Sequence, residues 1–181
     1  MADVGIETLT ASAARREQAA LVALLRNVVD DGGSVGFLPP LSAEEAGEYW
    51  AGVAAAVEGG SRLLWVARDA GSASIIGTVQ LDLERRANGD HRAEVIKLMV
   101  HTSGRRRGVG RALMLVAQDE ARRRGRSTLV LDTRQGDPSE ALYRSLGWTF
   151  VGAIPQYARS ANRALHATAI YYLLLGEHHE R

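Results

Sequence analysis

The sequence feature that most constrains the fold is a run of arginines and glycines between a strand-like and a helix-like segment, Arg105-Arg106-Arg107-Gly108-Val109-Gly110-Arg111. Glycines at such a junction let the backbone come close to a ligand. The first turn of the helix that follows offers free N–H groups and a partial positive charge. The run therefore predicts an anion-binding turn within a strand–turn–helix unit. The alternative is an ordinary turn with a solvated basic face, since two spaced glycines alone are a weak signal.

The elements around this turn predict a single α/β domain over residues 1–176, followed by a short tail at residues 177–181. Residues 62–100 form three strand-like runs with turns between them, which indicates an antiparallel meander. Apolar residues recur at helical spacing over residues 108–124. The predicted order is β-α-α-β-β-β-α-β-α-β-β. This order gives a mixed, mostly antiparallel sheet flanked by helices.

The C-terminal third predicts the end of the sheet. Thr128 to Thr133 is a nearly continuous apolar run, which indicates a strand buried between two layers. Trp148 to Ile154 and His166 to Leu174 are predicted as the last two strands. The segment between them contains Pro155 and Tyr157 and is predicted as a long loop.

Composition excludes several classes of function. The 22 basic and 21 acidic residues give a net charge of +1, so no overall field attracts nucleic acid or a membrane. There is no cysteine, which excludes disulfides and thiolate nucleophiles, and the five histidines show no zinc-like spacing. No signal-like N-terminal segment or membrane-spanning run is present in the sequence, so a cytoplasmic location is expected. Lys97 is the only lysine among the 22 basic residues, and we attribute this bias towards arginine to codon usage.

Two motifs together resemble those of the GNAT acetyltransferases. Val100, four further residues and Arg105-x-x-Gly108-x-Gly110 match that family's coenzyme A motif, (Q/R)-x-x-G-x-(G/A). Tyr143-x-x-x-Gly147-Trp148 is similar to its second motif, Tyr-x-x-x-Gly-aromatic, and follows in the expected order. On this resemblance the chain is identified as an N-acetyltransferase with acetyl-CoA as its cofactor. The resemblance implies that the cofactor contacts Tyr143 and a set of residues around the turn: Leu98, Met99, Val100, Arg105, Arg106, Arg107, Gly108, Val109, Gly110 and Arg111.

Smaller matches outside these motifs resemble the tabtoxin-resistance acetyltransferases of the same family, which acetylate a β-lactam amino-acid toxin. They lie at residues 33–37, 64–66, 92–100, 131–133 and 165–171. The resemblance implies a small-molecule amine as acceptor, such as an amino-acid-like toxin or antibiotic, and a role in resistance. Acetylation of a protein N-terminus or lysine by the same fold is the alternative. A monomer and a homodimer are both compatible with the sequence.

Acetyl transfer to an amine requires that the ammonium form lose its proton. An alkyl ammonium with a pKa near 10.4 is neutral about once in 10³ at pH 7, which costs roughly 4–5 kcal/mol. Glu94 in an apolar strand and Asp132 at the carboxyl end of the buried strand are candidate bases. Structural roles are also open: an ion pair with Lys97 or Arg92 for Glu94, and a strand cap or an arginine partner for Asp132. The tabtoxin-resistance resemblance implies that both carboxylates act at the substrate.

The family resemblance implies two further catalytic groups. In GNAT enzymes a main-chain N–H of the fourth strand faces the thioester oxygen, which here indicates Leu98 or Met99. A tyrosine of the family protonates the departing thiolate, and Tyr143 matches it. Proton transfer from a phenol near pKa 10 to a thiolate near 8.5 is uphill by only about 2 kcal/mol. The alternative for Tyr143 is a core aromatic on an amphipathic helix.

The acceptor side is indicated less sharply by the sequence. Phe37, Tyr157 and Trp50 are candidates to line the acceptor pocket, because in this fold the first helical loop and the loop before the last strand border it. The alternative for each is a place in the core. Two non-enzymatic functions, an arginine-rich nucleic-acid-binding domain and a degenerate acyl-CoA binder, are disfavoured. The near-zero net charge and the absence of aromatic residues around the arginines argue against a nucleic-acid-binding domain. A degenerate acyl-CoA binder would not explain why the candidate catalytic residues are intact.

Overall fold

The computed structural model describes residues 4–176, so the tail predicted at residues 177–181 lies outside the described residues. The described residues form seven strands and five α-helices. The strands are β1 Val4–Thr8, β2 Arg62–Asp69, β3 Ile75–Leu83, β4 Arg92–Val100, β5 Thr128–Arg134, β6 Thr149–Arg159 and β7 Leu165–Leu174. The helices are α1 Ala11–Arg16, α2 Gln18–Asp30, α3 Ala43–Glu58, α4 Val109–Arg123 and α5 Ser139–Ser145.

All seven strands form one sheet in the order β1-β2-β3-β4-β5-β7-β6. Every neighbouring pair is antiparallel except β4 and β5, which are parallel and are connected through α4. This confirms the predicted α/β class with a mixed, mostly antiparallel sheet. The meander predicted for residues 62–100 is the run β2-β3-β4.

The parallel pair β4–β5 is short. Only Arg92, Ala93 and Glu94 are in register with β5, and beyond Glu94 the two strands no longer pair. On its other edge β4 stays paired to β3 as far as Val100, through a bulge in which Lys97 has a positive φ of 52°. The extra residue bends β4 away from β5. A cleft therefore opens in the middle of the sheet, at the end where α4 begins.

Helices cover both faces of the sheet, so the apolar side chains of an inner strand such as β2 point alternately to the two faces. Leu64 and Val66 pack in a cluster with α1, α2 and α3, whereas Trp65 and Ala67 pack with α4 on the opposite face. Both clusters consist of fully buried aliphatic and aromatic side chains. The sheet is thus the central layer of a three-layer domain, which explains why its inner strands are apolar on both sides.

Two local predictions differ from the structure. The first helix is divided at Glu17, which has a φ of −98° and a ψ of 13° and caps both the end of α1 and the start of α2, so three helices precede β2. The long loop predicted around Pro155 and Tyr157 is wrong, because both residues lie within β6. A wide irregularity between Ile154 and Ala158 accommodates the proline, and β6 is an edge strand, where a missing N–H costs no ladder hydrogen bond.

Close packing of α4 on β3 depends on Gly77. A Cβ placed at this position would lie 2.9 Å from a Val109 methyl group and 3.0 Å from the Met99 carbonyl oxygen. We expect Gly77→Ala to lower the free energy of unfolding by about 1–3 kcal/mol, because the helix must move outward. Chemical denaturation measures this, with Gly52→Ala as the control: nothing lies within 4 Å of that helical position, so alanine there stabilises the protein. Equal stability of Gly77→Ala and the wild type would contradict the packing described.

Candidate active site

The turn before α4 has the backbone geometry of an anion site. Gly108 has a left-handed φ of 79°, which favours glycine, and α4 begins directly after it. The first backbone hydrogen bond of α4 runs from the Ala112 N–H to the Gly108 carbonyl, at 3.0 Å. The N–H groups of Val109, Gly110 and Arg111 therefore have no carbonyl in a preceding turn to bind and are available to a ligand.

Most of the arginines at this turn have protein partners. Arg105 pairs with Asp31 at the end of α2, at 2.5 Å, and Arg107 pairs with Asp69 at the end of β2, at 2.6 Å. Arg111 donates to the Ser145 hydroxyl of α5. These contacts tie the turn to three surrounding elements, so part of the basic cluster is structural. Arg106 is exposed and also has a positive φ, of 61°.

The turn fits the pyrophosphate of a coenzyme A molecule. Nothing lies within 4 Å of the position where Gly108 would carry a Cβ, so the start of α4 is open on this side. Gly110 has a different role, because a Cβ there would lie 3.3 Å from Leu142 of α5. Gly108 thus leaves room for a ligand, whereas Gly110 allows α4 and α5 to approach each other. The cleft between β4 and β5 begins beside this turn.

Acidic side chains meet where the cleft begins. Glu94 and Asp82 are cross-strand partners on β4 and β3, and Asp132 lies two residues beyond the β5 partner of Glu94. Burial raises the pKa of Glu94, and the negative charges of Asp132 and Asp82 raise it further. Arg62, which pairs with Asp82 at 3.0 Å, opposes this shift. The fold therefore brings Glu94 and Asp132 together from separate strands.

Asp132 is held by its neighbour on β7. The Thr168 hydroxyl donates to Asp132 Oδ2 at 2.7 Å, and the side chain is otherwise exposed to the cleft. Neither ion pair that the sequence left open for Glu94 is formed, since Arg92 pairs with Glu84 and Lys97 donates to the Val35 carbonyl. Within residues 4–176 both carboxylates thus keep an oxygen available to a substrate amine.

Tyr143 lies on α5, below the cleft, and is 6% exposed. Its ring packs against Trp148 and Tyr171, with centroids 6.3 Å and 6.0 Å away. Burial raises the pKa of the phenol, the nearby Ser139 hydroxyl partly offsets this, and the charges of Asp137 and Asp132 add to it. The hydroxyl therefore stays protonated at neutral pH and lies close enough to Asp132 to be affected by its charge.

The acceptor-side candidates separate into three positions. Phe37 lines a cavity of about 240 Å³ between the loop after α2 and the turn that joins β6 to β7. Tyr157 is 58% exposed and is not part of the cavity lining. Trp50 is fully buried in the cluster between the sheet and the α1–α3 layer. Arg134, Arg159 and Ser160, which the sequence did not suggest, also line the cavity.

Comparison with known proteins decides the family. Residues 25–148 match the family model described as the acetyltransferase (GNAT) family, which is more than half of the chain. The chain belongs to the GNAT acetyltransferase family. It is therefore an N-acetyltransferase that uses acetyl-CoA, which confirms the activity class and the cofactor expected from the two motifs.

Solved structures show the same GNAT fold. A candidate acetyltransferase from Salmonella typhimurium, determined with its cofactor acetyl-CoA, is 20% identical, with a TM-score of 0.76 over 99% of this chain and 98% of that one. A candidate phosphinothricin N-acetyltransferase is 21% identical, with a TM-score of 0.78 over 97% and 100%. A ribosomal-protein-alanine N-acetyltransferase from Brucella melitensis is 20% identical, with a TM-score of 0.75 over 94% and 99%. The fold is thus shared by structures whose described acceptors differ.

Lys97 is a contributor to this GNAT site whose place the sequence did not predict. Its ammonium group donates to the Val35 carbonyl at 2.7 Å and lies 5.9 Å and 5.8 Å from the ring centroids of Phe37 and Tyr49. Burial lowers its pKa, while the charges of Asp132 and Glu94 oppose the shift. Lys97 therefore joins the bulge of β4 to the loop whose Phe37 lines the cavity described above. The one available signal was its isolation as the only lysine of the chain.

The described helices include none that is both long and apolar enough to cross a lipid bilayer.

The acidic cluster gives a prediction for the titration of Glu94. Asp82→Asn removes a negative neighbour and frees the positive charge of Arg62, and both changes favour the ionised carboxylate. We therefore expect the pKa of Glu94 to fall in this variant. Carbon-detected NMR titration of the Glu94 carboxyl, assigned with Glu94→Gln, measures it, and Glu48→Gln on the exposed surface of α3 is the control. An unchanged or higher pKa in Asp82→Asn would show that Asp82 does not act on Glu94.

Proposed function

We propose that this GNAT enzyme transfers the acetyl group of acetyl-CoA to the amine of a small, amino-acid-like molecule such as a toxin or antibiotic. The observation that carries this is the size and position of the acceptor-side cavity. At about 240 Å³ it is smaller than the roughly 300–1,000 Å³ of pockets for drug-sized ligands. It also lies beside the strand end that carries Asp132. A polypeptide acceptor requires an extended groove, which a cavity of this size does not supply.

In this proposal Glu94 and Asp132 remove the ammonium proton. Burial raises the pKa of Glu94 and the charge of Asp132 raises it further, which is the direction that makes a carboxylate a better proton acceptor. The Thr168 hydroxyl fixes Asp132 on one side and leaves its second oxygen for the amine.

The backbone of β4 supplies the second element of the proposal. Acetyl-CoA supplies the acetyl group as a thioester. Beyond Glu94 the cleft-side groups of β4 have no β5 partner, so an N–H of Leu98 or Met99 can donate to a carbonyl oxygen in the cleft. The bulge at Lys97 sets the direction in which these groups point. Residues 105–111 hold the pyrophosphate through the free N–H groups of α4, with Arg106 as an unpaired cation among the described residues.

Tyr143 completes the proposal as the proton donor to the sulfur. Burial keeps its phenol neutral, which is the protonation state that a general acid needs, and the same rise in pKa makes its proton transfer to a thiolate more uphill than that of an exposed phenol. The helix α5 is fixed beneath the cleft by a buried contact between the Tyr171 hydroxyl and Glu140. Glu140 also accepts from the Gly136 N–H at 2.6 Å and holds Arg144 at 3.1 Å. These contacts limit the motion of the helix that carries Tyr143.

The proposed acceptor class is tested by a turnover screen. We expect acetyl-CoA-dependent release of free thiol with amino acids or their analogues among a panel that also contains aminoglycosides, polyamines and peptides. Glu94→Gln combined with Asp132→Asn serves as the control, and its turnover is expected to be lower by at least 10² because the base is removed. Turnover of peptide N-termini, with none of any free amino-acid analogue, would contradict the small-molecule proposal.

The cofactor turn is tested by adding a side chain at Gly108. We expect Gly108→Val to raise the Kd for coenzyme A at least tenfold, about 1.4 kcal/mol, because the side chain fills the space in front of the free N–H groups. Calorimetric titration measures this. Gly125→Val is a matched control, since Gly125 has a φ of 71° and open space around it but lies at the opposite end of α4. Wild-type affinity in Gly108→Val, or an equal loss in both variants, would argue against the site.

The acid role is tested by Tyr143→Phe. We expect kcat to fall by about 10²–10⁴, with little change in KM for acetyl-CoA, because the ring is kept and only the proton donor is removed. Steady-state kinetics measures both constants. An unchanged kcat in folded Tyr143→Phe protein would mean that the tyrosine serves only in the core.

A further inference from the structure

The acceptor-side cavity has a positive wall. Two guanidinium groups line it, Arg134 at the end of β5 and Arg159 at the end of β6, and the remaining lining is small or apolar, with Gly33, Ser34 and Phe37 among it. Carboxylates are absent from the residues that line the cavity. The nearest acid identified is Asp137, which lies 3.3 Å from Arg134. The cavity therefore favours a ligand group of negative charge.

Arg134 is positioned by contacts that leave part of its hydrogen-bonding capacity free. It donates to the Gly32 carbonyl and to the Ser160 hydroxyl, each at 3.3 Å. With the Asp137 contact these are long for hydrogen bonds of a guanidinium. The group has five N–H donors in a planar fork, so it can still bind a further oxyanion. Arg159 is exposed and donates only to the Arg163 carbonyl among the contacts of residues 4–176.

Arg134 and the acidic pair lie on the same face of the sheet. Leu129 and Leu131 pack on the α4 side of β5, so Asp132 and Arg134 project to the opposite side. Residues two apart on a strand are about 6.6 Å from each other. Asp132, which is proposed to accept the amine proton, and Arg134, which lines the cavity, are thus next neighbours on this face of β5.

We propose that Arg134 and Arg159 form a carboxylate subsite, and that the enzyme selects acceptors in which an anionic group lies a few bonds from the reacting amine. The inference rests on the proposed function, and it names what orients the acceptor: its ammonium group at Glu94 and Asp132, its carboxylate at Arg134. A charge-assisted, bidentate contact to Arg134 fixes both position and orientation. Arg134 is then a specificity-determining residue, because an acceptor without the anion leaves the guanidinium unpaired.

The test compares each free L-amino acid with its C-terminal carboxamide, which keeps the amine and loses the negative charge. We expect the wild type to prefer the acid over the amide by at least tenfold in kcat/KM. Arg134→Gln should lose at least tenfold of this preference, through KM for the acid, and Arg134→Lys should keep part of it. Arg163→Gln, in the same turn but outside the cavity lining, should change nothing.

Two further measurements separate the possible failures. Because Arg134 also holds Gly32 and Ser160, its variants are checked by thermal unfolding, and Arg159→Gln provides a second, exposed position whose loss should lower the preference without affecting stability. Calorimetric titration of the same acid and amide pairs reports binding without turnover. Equal use of acids and amides by the wild type would overturn the subsite and leave the proposed function intact. Preferential binding of the acids without acetylation of any small amine would keep the subsite and contradict the proposed function.

Discussion

The parting of β4 from β5 after Glu94 is the constraint on which the site depends. Two parallel strands that paired along their whole length would leave no opening in the sheet and no free N–H groups on β4. The separation is maintained from both sides: a bulge at Lys97 bends β4 while it stays bonded to β3, and β5 is fully paired to β7. The same opening gives Glu94 and Asp132 access to a ligand and leads to the turn at the start of α4.

The two faces of the sheet carry different parts of the proposed site. On one face α4 and α5 pack on an apolar cluster, supply the anion-binding turn and carry Tyr143. On the other face the sheet presents charged side chains, and the α1–α3 layer contributes the loop that borders the acceptor cavity. In the proposed function the cofactor and the acceptor approach from these two sides and meet where the sheet is open. The alternation of side chains along β5 therefore separates core residues such as Leu131 from Asp132.

Charge balance around the cleft is achieved by a few defined pairs. Arg105 and Arg107 are neutralised by Asp31 and Asp69, so these two arginines fix the turn to the ends of α2 and β2. Lys97 is held by a carbonyl and two aromatic rings, a compact environment that suits an ammonium group better than a guanidinium. That fit gives a physical reason why this one position is a lysine. Codon usage explains why the other basic residues are arginines, but it does not explain this exception.

The sequence by itself determined the family, the cofactor and the order of the strands along the chain, because those follow from local signals. The glycines of the turn, the helical spacing after it and the motif around Tyr143 are all set by neighbours along the chain. Only the tertiary structure decided what depends on residues far apart: which partner each arginine has, where β4 leaves β5, and that Arg134 and Arg159 share a cavity with Phe37. It also corrected the segment of Pro155 and Tyr157, which the sequence placed in a loop. An edge strand with an irregularity tolerates proline, and no local pattern reveals that a strand will lie at the edge.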